Sequence, residues 1–275
     1  MSTHQGRGRR ATGVTSAFIP LPFALVGVLA LAGCDLSIGH LTGRATEEWT
    51  RTYPLAAGGE IRIGNTNGQV DVEGVEGSTV EVRAEKIARA ATDTGARELL
   101  PRITIKEDAQ ADRVSVETDR MSGLMIGAGF EVRYHVRAPK GAVVNVTTTN
   151  GRIELNALAG KVVAHTTNGG VNGRGLTGGV DAHSTNGGVT LEFTSLGSDR
   201  VSARTTNGGV ELMLPSSAKA DVSASCTNGG IQVSPDFTLT VTEQSRRKLE
   251  GRLNGGGTPI ELRTTNGGVR IKTRG

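Results

Sequence analysis

One short motif recurs along this chain and limits what the chain can fold into. It occurs as Asn65-Thr66-Asn67-Gly68, Thr148-Thr149-Asn150-Gly151, Thr166-Thr167-Asn168-Gly169, Ser184-Thr185-Asn186-Gly187, Thr205-Thr206-Asn207-Gly208, Cys226-Thr227-Asn228-Gly229 and Thr264-Thr265-Asn266-Gly267. From Asn150 the central asparagines advance in steps of 18, 18, 21 and 21 residues. A steady period with small length changes is the mark of stacked coils, because insertions fall in loops. The step of 38 residues from Asn228 to Asn266 fits two coils, or one coil with an inserted hairpin. The step of 83 residues from Asn67 to Asn150 must hold a separate element.

Strand alternation around the motif assigns faces. Val201, Ala203, Thr205 and Asn207 point inward in one frame, and Val210, Leu212 and Leu214 point inward after the Gly208-Gly209 turn. The same frame fits the copies at Asn67, Asn186, Asn228 and Asn266. Glycine, at 40 residues, clusters at the turns, and aromatics make up only 3% of the chain, so the core is aliphatic and narrow. These features predict an all-β, right-handed parallel β-helix (β-solenoid) with coils of 18–21 residues. Asn67, Asn150, Asn168, Asn186, Asn207, Asn228 and Asn266 are expected to form an inward structural ladder of amides. At the strand spacing of about 4.8 Å, each amide can bond its neighbours above and below.

Residues 79–139 interrupt the pattern. Val80 and Val82 alternate as a strand, and a short helix is expected through Leu100, capped by Asp93 or Thr94. Ile103, Ile105, Val114 and Val116 suggest a hairpin, Met121–Gly129 a loop, and Phe130 to Val136 a strand leading back to the solenoid. This insertion is expected to extend the same sheets. Residues Arg246 to Pro259 read as a protruding hairpin loop. Arg270, Lys272 and Arg274 place charge on the last strand, where they would guard an open solenoid end against unwanted pairing.

The first residues read as an export signal. Arg7, Arg9 and Arg10 precede an apolar run from Ala17 to Leu31, too short to span a bilayer comfortably. Leu31-Ala32-Gly33-Cys34 resembles the bacterial lipobox, which implies lipidation of Cys34. The expected organisation is a lipoprotein signal peptide at 1–33, a tether at 34–48 and an adhesin-like β-solenoid at 49–275. Without the three leading arginines, 28 basic residues face 27 acidic ones. That balance gives no case for nucleic acid. With Cys34 lipidated, Cys226 has no partner for a disulfide and reads as a small buried side chain.

Several further residues resemble a known family. They are Gly64-Asn65-Thr66-Asn67-Gly68, Tyr134-His135-Val136-Arg137-Ala138-Pro139-Lys140-Gly141, the internal Thr-Thr-Asn-Gly-Gly series and Glu261 to Val269. Over residues 50–273 the chain resembles a bacterial adhesin-like family of β-strand-repeat lipoproteins, a domain of unknown function. The resemblance implies a β-solenoid, placement outside the cytoplasm as in many members, no established catalytic residue, and in some relatives a link to envelope stress.

The function expected is a lipid-anchored cell-envelope structural or binding protein, with membrane contact through its lipid and a polymer or protein partner. A polysaccharide lyase or hydrolase of β-helix type is the rival, and an envelope-stress sensing module is the other alternative. The column Asp71, Glu154, Asn172, Thr190, Glu211, Gln232 and Arg270 shows no adjacent carboxylate pair, so no enzyme is expected. His165 and His183, with Arg204, form a possible surface site, but two imidazoles are too few for a closed zinc site. No metal or cofactor is expected. The outward threonines lie beside a charged, irregular row, which argues against ice binding. In cells fed a fatty-acid analogue, the wild-type chain should carry label and Cys34→Ala should not; an unlabelled wild type would remove the anchor.

Overall fold

The structure, a computed structural model, describes residues 41–119 and 127–274. The signal peptide, Cys34, the tether up to His40 and most of the Met121–Gly129 loop lie outside the described residues. The remainder is all-β, in two mixed sheets of ten and eleven strands with one short helix.

Each coil contributes one strand to each sheet. Val162–Asn168, Val180–Asn186 and Val201–Asn207 lie side by side in the eleven-stranded sheet, all parallel. After the glycine corner, Val171–Leu176, Val189–Phe193 and Val210–Leu214 stack likewise in the ten-stranded sheet. Register follows the sequence repeat: Val162, Val180 and Val201 align, then Ala164, Ala182 and Ala203, then Thr166, Ser184 and Thr205. The inward Val, Ala, Ile and Leu side chains of both sheets form one continuous core. Ala164, Ala182 and Ala203 of one sheet and Leu191, Phe193 and Leu212 of the other are all fully buried in it.

The asparagines do not point into this core. Alternation carries Thr148, Thr166, Ser184, Thr205, Cys226 and Thr264 inside, and burial ends there. Asn67 is half-buried, and the asparagines from Asn150 to Asn266 are exposed. The chain is already rotating into the corner at that position, so the period of two stops one step earlier than the sequence frame assumed. Four of the buried hydroxyls take the inward polar role instead, while that of Thr148 makes no hydrogen bond. Thr166, Ser184, Thr205 and Thr264 donate to the carbonyls of Gly151, Gly169, Gly187 and Gly208 on the adjacent coil, at 2.7–2.9 Å.

The corner glycines are required by close approach. A Cβ on Gly169, Gly187, Gly208 or Gly267 would lie 2.0–2.3 Å from the carbonyl oxygen of the stacked corner glycine, and these residues have φ between 150° and 157°. Backbone bonds pass straight through the corner, as from Gly187 N to Asn207 O and from Val189 N to Gly209 O.

The insertion at residues 79–139 builds onto the first coil. Thr79–Ala90 pairs antiparallel with Gly43–Pro54 on one side and Ala128–Pro139 on the other. Ala128–Pro139 then runs parallel to Val70–Val75. In the other sheet, Arg113–Thr118 runs parallel to Glu60–Asn67 and forms a hairpin with Ile105–Ala109. The helix spans Asp93–Leu99, and its cap is Thr92, whose Oγ1 accepts from Gly95 N at 3.1 Å, rather than Asp93 or Thr94. Residues 43–48, expected in the tether, are already paired strand. Their charged composition suits a half-exposed ribbon as well as a linker.

The C-terminal end departs most from a simple solenoid. Thr258–Asn266 inserts between Val201–Asn207 and Ala220–Asn228, parallel to both. Val269–Thr273 likewise lies between Val210–Leu214 and Ile231–Val233. The last coil in sequence is therefore the penultimate coil in space, and Arg270 and Lys272 guard no edge. The 38-residue step holds Leu239–Gln244 and Lys248–Leu253, an antiparallel hairpin whose second strand pairs with Ala220–Asn228. Arg246 to Pro259 is thus largely sheet rather than a protruding loop. Asn254, at φ 48°, donates to the carbonyls of Ser216 and Ala218 at 2.8 Å and ties the hairpin to that connection.

Neighbouring glycines in one corner test the close-approach argument. A Cβ on Gly229 would lie 1.9 Å from Gly267 O, whereas one on Gly230 meets nothing within 4 Å. Gly229→Ala should cost about 2–4 kcal/mol in urea unfolding, and Gly230→Ala should stay within about 0.5 kcal/mol of wild type.

Candidate functional site

The seven motif asparagines are joined by six hydrogen bonds. Asn228 donates to Asn266, Asn266 to Asn207, Asn207 to Asn186, Asn186 to Asn168, Asn168 to Asn150 and Asn150 to Asn67, all Nδ2 to Oδ1 at 2.7–2.8 Å. Each bond is solvent-exposed, so each contributes at the low end of about 0.5–1.5 kcal/mol. The ladder marks register along the outside of the corner.

Chemistry concentrates on the outer face of the eleven-stranded sheet. His165 aligns with His183, His183 with Arg204, and Arg204 with Arg263. The two imidazoles meet edge to face with centroids 5.8 Å apart. Burial lowers the His183 pKa below the ordinary histidine value, and the positive charges of His165 and Arg204 push it the same way against the opposing pull of Asp181.

One row across, Asp181 aligns with Ser202 and Ser202 with Glu261. Glu261 is only 8% exposed, yet three arginines converge on it. Arg204 Nη2 lies 2.8 Å from Oε2, Arg263 Nε lies 2.7 Å from Oε1, and Arg200 also bonds Oε2. Burial pushes the Glu261 carboxyl up, but the hydrogen bonds from Arg200 and Arg204, with the charges of Arg204 and Arg263, more than offset this and hold it below the usual range. Arg204 also reaches Asp181 at 3.8 Å. A buried carboxylate thus aims three guanidinium groups on a rigid sheet.

Sequence reasoning placed His165, His183 and Arg204 in one column but missed Glu261 and Arg200. Glu261 stands 57 residues after Arg204, and only the inserted last coil brings them together.

Asp71 and Glu154 are a second correction. They align on adjacent strands, because the insertion at residues 79–139 leaves the coils of Asn67 and Asn150 in contact. The column therefore does contain neighbouring carboxylates. Gln69 Nε2 donates to Asp71 at 2.7 Å, and Asn172 Nδ2 donates to Glu154 at 2.8 Å. Cys226 is buried in the threonine column. Among the described residues, no group of three or more His, Cys, Asp or Glu side chains could hold a metal ion. None of the described helices is long and apolar enough to cross a membrane.

Residues 56–272 match the Toastrack DUF4097 family. The chain belongs to that family, a domain of unknown function. No curated protein matches this Toastrack chain. Among solved structures, it is similar to a putative cell adhesion protein from Clostridium sporogenes, at 11% identity and TM-score 0.46, over 84% of this chain and 100% of that one. Putative adhesins from Bacteroides fragilis and Parabacteroides distasonis are each 11% identical, with TM-scores of 0.31 and 0.32. The first alignment covers 83% of this chain and 97% of the other, and the second 84% and 98%.

The Glu261 cluster has a pH signature. A carboxyl whose folded pKa is lowered adds stability that is complete above its unfolded pKa and lost as pH falls through the folded value. Glu261→Gln should therefore cost about 1–2 kcal/mol at neutral pH, discounted for the exposed arginines. Urea unfolding near pH 2 should show little difference between the two chains, and a pH-independent gap would contradict the assignment.

Proposed function

We propose that this chain is a lipid-anchored binding module of the bacterial cell envelope, held outside the cytoplasm, that catalyses no reaction. In this reading its right-handed parallel coils present the outer face of the eleven-stranded sheet to an extended polymer or a protein partner. The observation that carries the proposal is the convergence of Arg200, Arg204 and Arg263 on buried Glu261. Guanidinium groups fixed before binding lose less conformational entropy when a partner arrives. The anchor is supported by the arginines before the apolar run and by the Leu31-Ala32-Gly33-Cys34 sequence. Sensing of envelope stress would be a consequence of such binding.

A second reading, a polysaccharide-acting enzyme, draws on the aligned Asp71 and Glu154. Both accept bonds from neighbouring amide side chains, an arrangement suited to fixed surface acceptors. A photo-crosslinker in place of His183 should capture an envelope component in living cells, and one in place of Glu243 should not. Release of shorter chains from acidic polysaccharides, with or without calcium, would favour the enzyme instead.

A further inference from the structure

The basic face contains a recess with unused binding capacity. It measures about 260 Å³ and is lined by Lys161, Val180, Asp181, Arg200, Ser202 and Arg204. Lys161, Gly179 and Arg200 each precede an aligned valine on three successive coils. Gly179 puts no side chain of its own between the two cations; Asp199 packs there instead, its Cβ 2.8 Å from where a Cβ on Gly179 would lie. Lys161 and Arg200 are two strand spacings apart, about 10 Å at the backbone, and both side chains can reach a group between them.

One residue in the recess lacks a partner that its chemistry requires, and a second is an exposed cation unpaired among the described residues. Ser202 is only 4% exposed, and its Oγ makes no hydrogen bond. A buried hydroxyl without a partner is uncommon in native proteins and calls for an explanation. Lys161 is exposed and forms no salt bridge among the described residues. Arg200 and Arg204 are held from behind by Glu261, and their side chains remain 62% and 40% exposed.

We propose that this recess is an oxyanion site for a singly charged carboxylate or phosphodiester group on an extended envelope polymer. The inference rests on the binding-module reading and specifies the chemistry of its partner. Lys161, Arg200 and Arg204 supply charge-assisted N–H donors, and the Ser202 hydroxyl supplies a neutral one. The cations face Asp181 at the rim and Glu261 beneath, Glu261 is shared with Arg263, and Asp199 packs beside Gly179. Each added negative charge on the ligand is repelled by Asp181 in the lining, which favours a monoanion over a dianion.

The test is calorimetric titration of the full chain in non-ionic detergent at low salt, where exposed charges are least screened. The probes are polygalacturonate, poly(glycerol phosphate) and neutral dextran. At least one anionic polymer should bind and dextran should not, and comparing the two identifies the source of the oxyanion. Lys161→Gln and Ser202→Ala should each weaken binding, and together by at least about fivefold. Lys272→Gln, on the other sheet, should leave it unchanged. Ser202→Ala should also unfold at the same or a higher urea concentration, since it removes an unsatisfied hydroxyl. Failure of both anionic polymers to bind, wild-type affinity in the double variant, or a clear loss of stability in Ser202→Ala would each overturn the site. If the His183 crosslink still captures an envelope component after such a failure, the binding-module reading survives without this site. Polymer binding lost in the double variant, with no crosslink in cells, would uphold the site and count against that reading.

Discussion

The stacking of glycine backbone at the corner is the contact on which the rest of the fold depends. With no Cβ, each corner glycine lets its peptide sit directly on that of the next coil. That approach carries the backbone hydrogen bonds through the turn, so both sheets continue in register. The buried threonine and serine hydroxyls reach the corner carbonyls for the same reason. A side chain in the corner would separate the coils there and remove both sets of bonds. The exposed asparagine ladder reinforces this arrangement from outside, at lower energy, because water competes for each amide.

The second organising feature is the order of the coils. The chain completes the coil of Asn228, leaves through a hairpin, and returns to place the coil of Asn266 one position inward. The two coils carry nearly the same corner motif, so the ladder continues unbroken through the exchange. The outcome is chemical as well as topological. Glu261 arrives beside Ser202 and under Arg204, where Ser223 would otherwise align if the coil of Asn228 stacked directly. The cluster of three arginines on one buried carboxylate exists because of that return.

A rigid sheet is a suitable platform for such a cluster. Side chains on aligned strands are spaced by the backbone, so His165, His183, Arg204 and Arg263 keep fixed separations without support from loops. Exposed ion pairs on their own contribute little. Glu261 differs because its burial makes the bonds to Arg200, Arg204 and Arg263 hard to replace with water.

The repeat and its alternation were sufficient to determine the coils, the aliphatic core and the grouping of His165, His183 and Arg204, because these depend on periodicity within a strand and on constant coil length. They were also sufficient to show that the asparagines form a regular column, though not that it lies outside. Alternation assumes a straight strand, and the chain bends one residue before Asn168 and its equivalents reach the core. Contacts set by the order of coils were out of reach. The pairing of Asp71 with Glu154 crosses 83 residues, and that of Arg204 with Glu261 crosses an inserted hairpin. Similar corner motifs can stack in more than one order, so local pattern does not choose between them. Only the tertiary structure, through the hairpin that sends the last coil back inside, decided which charges meet.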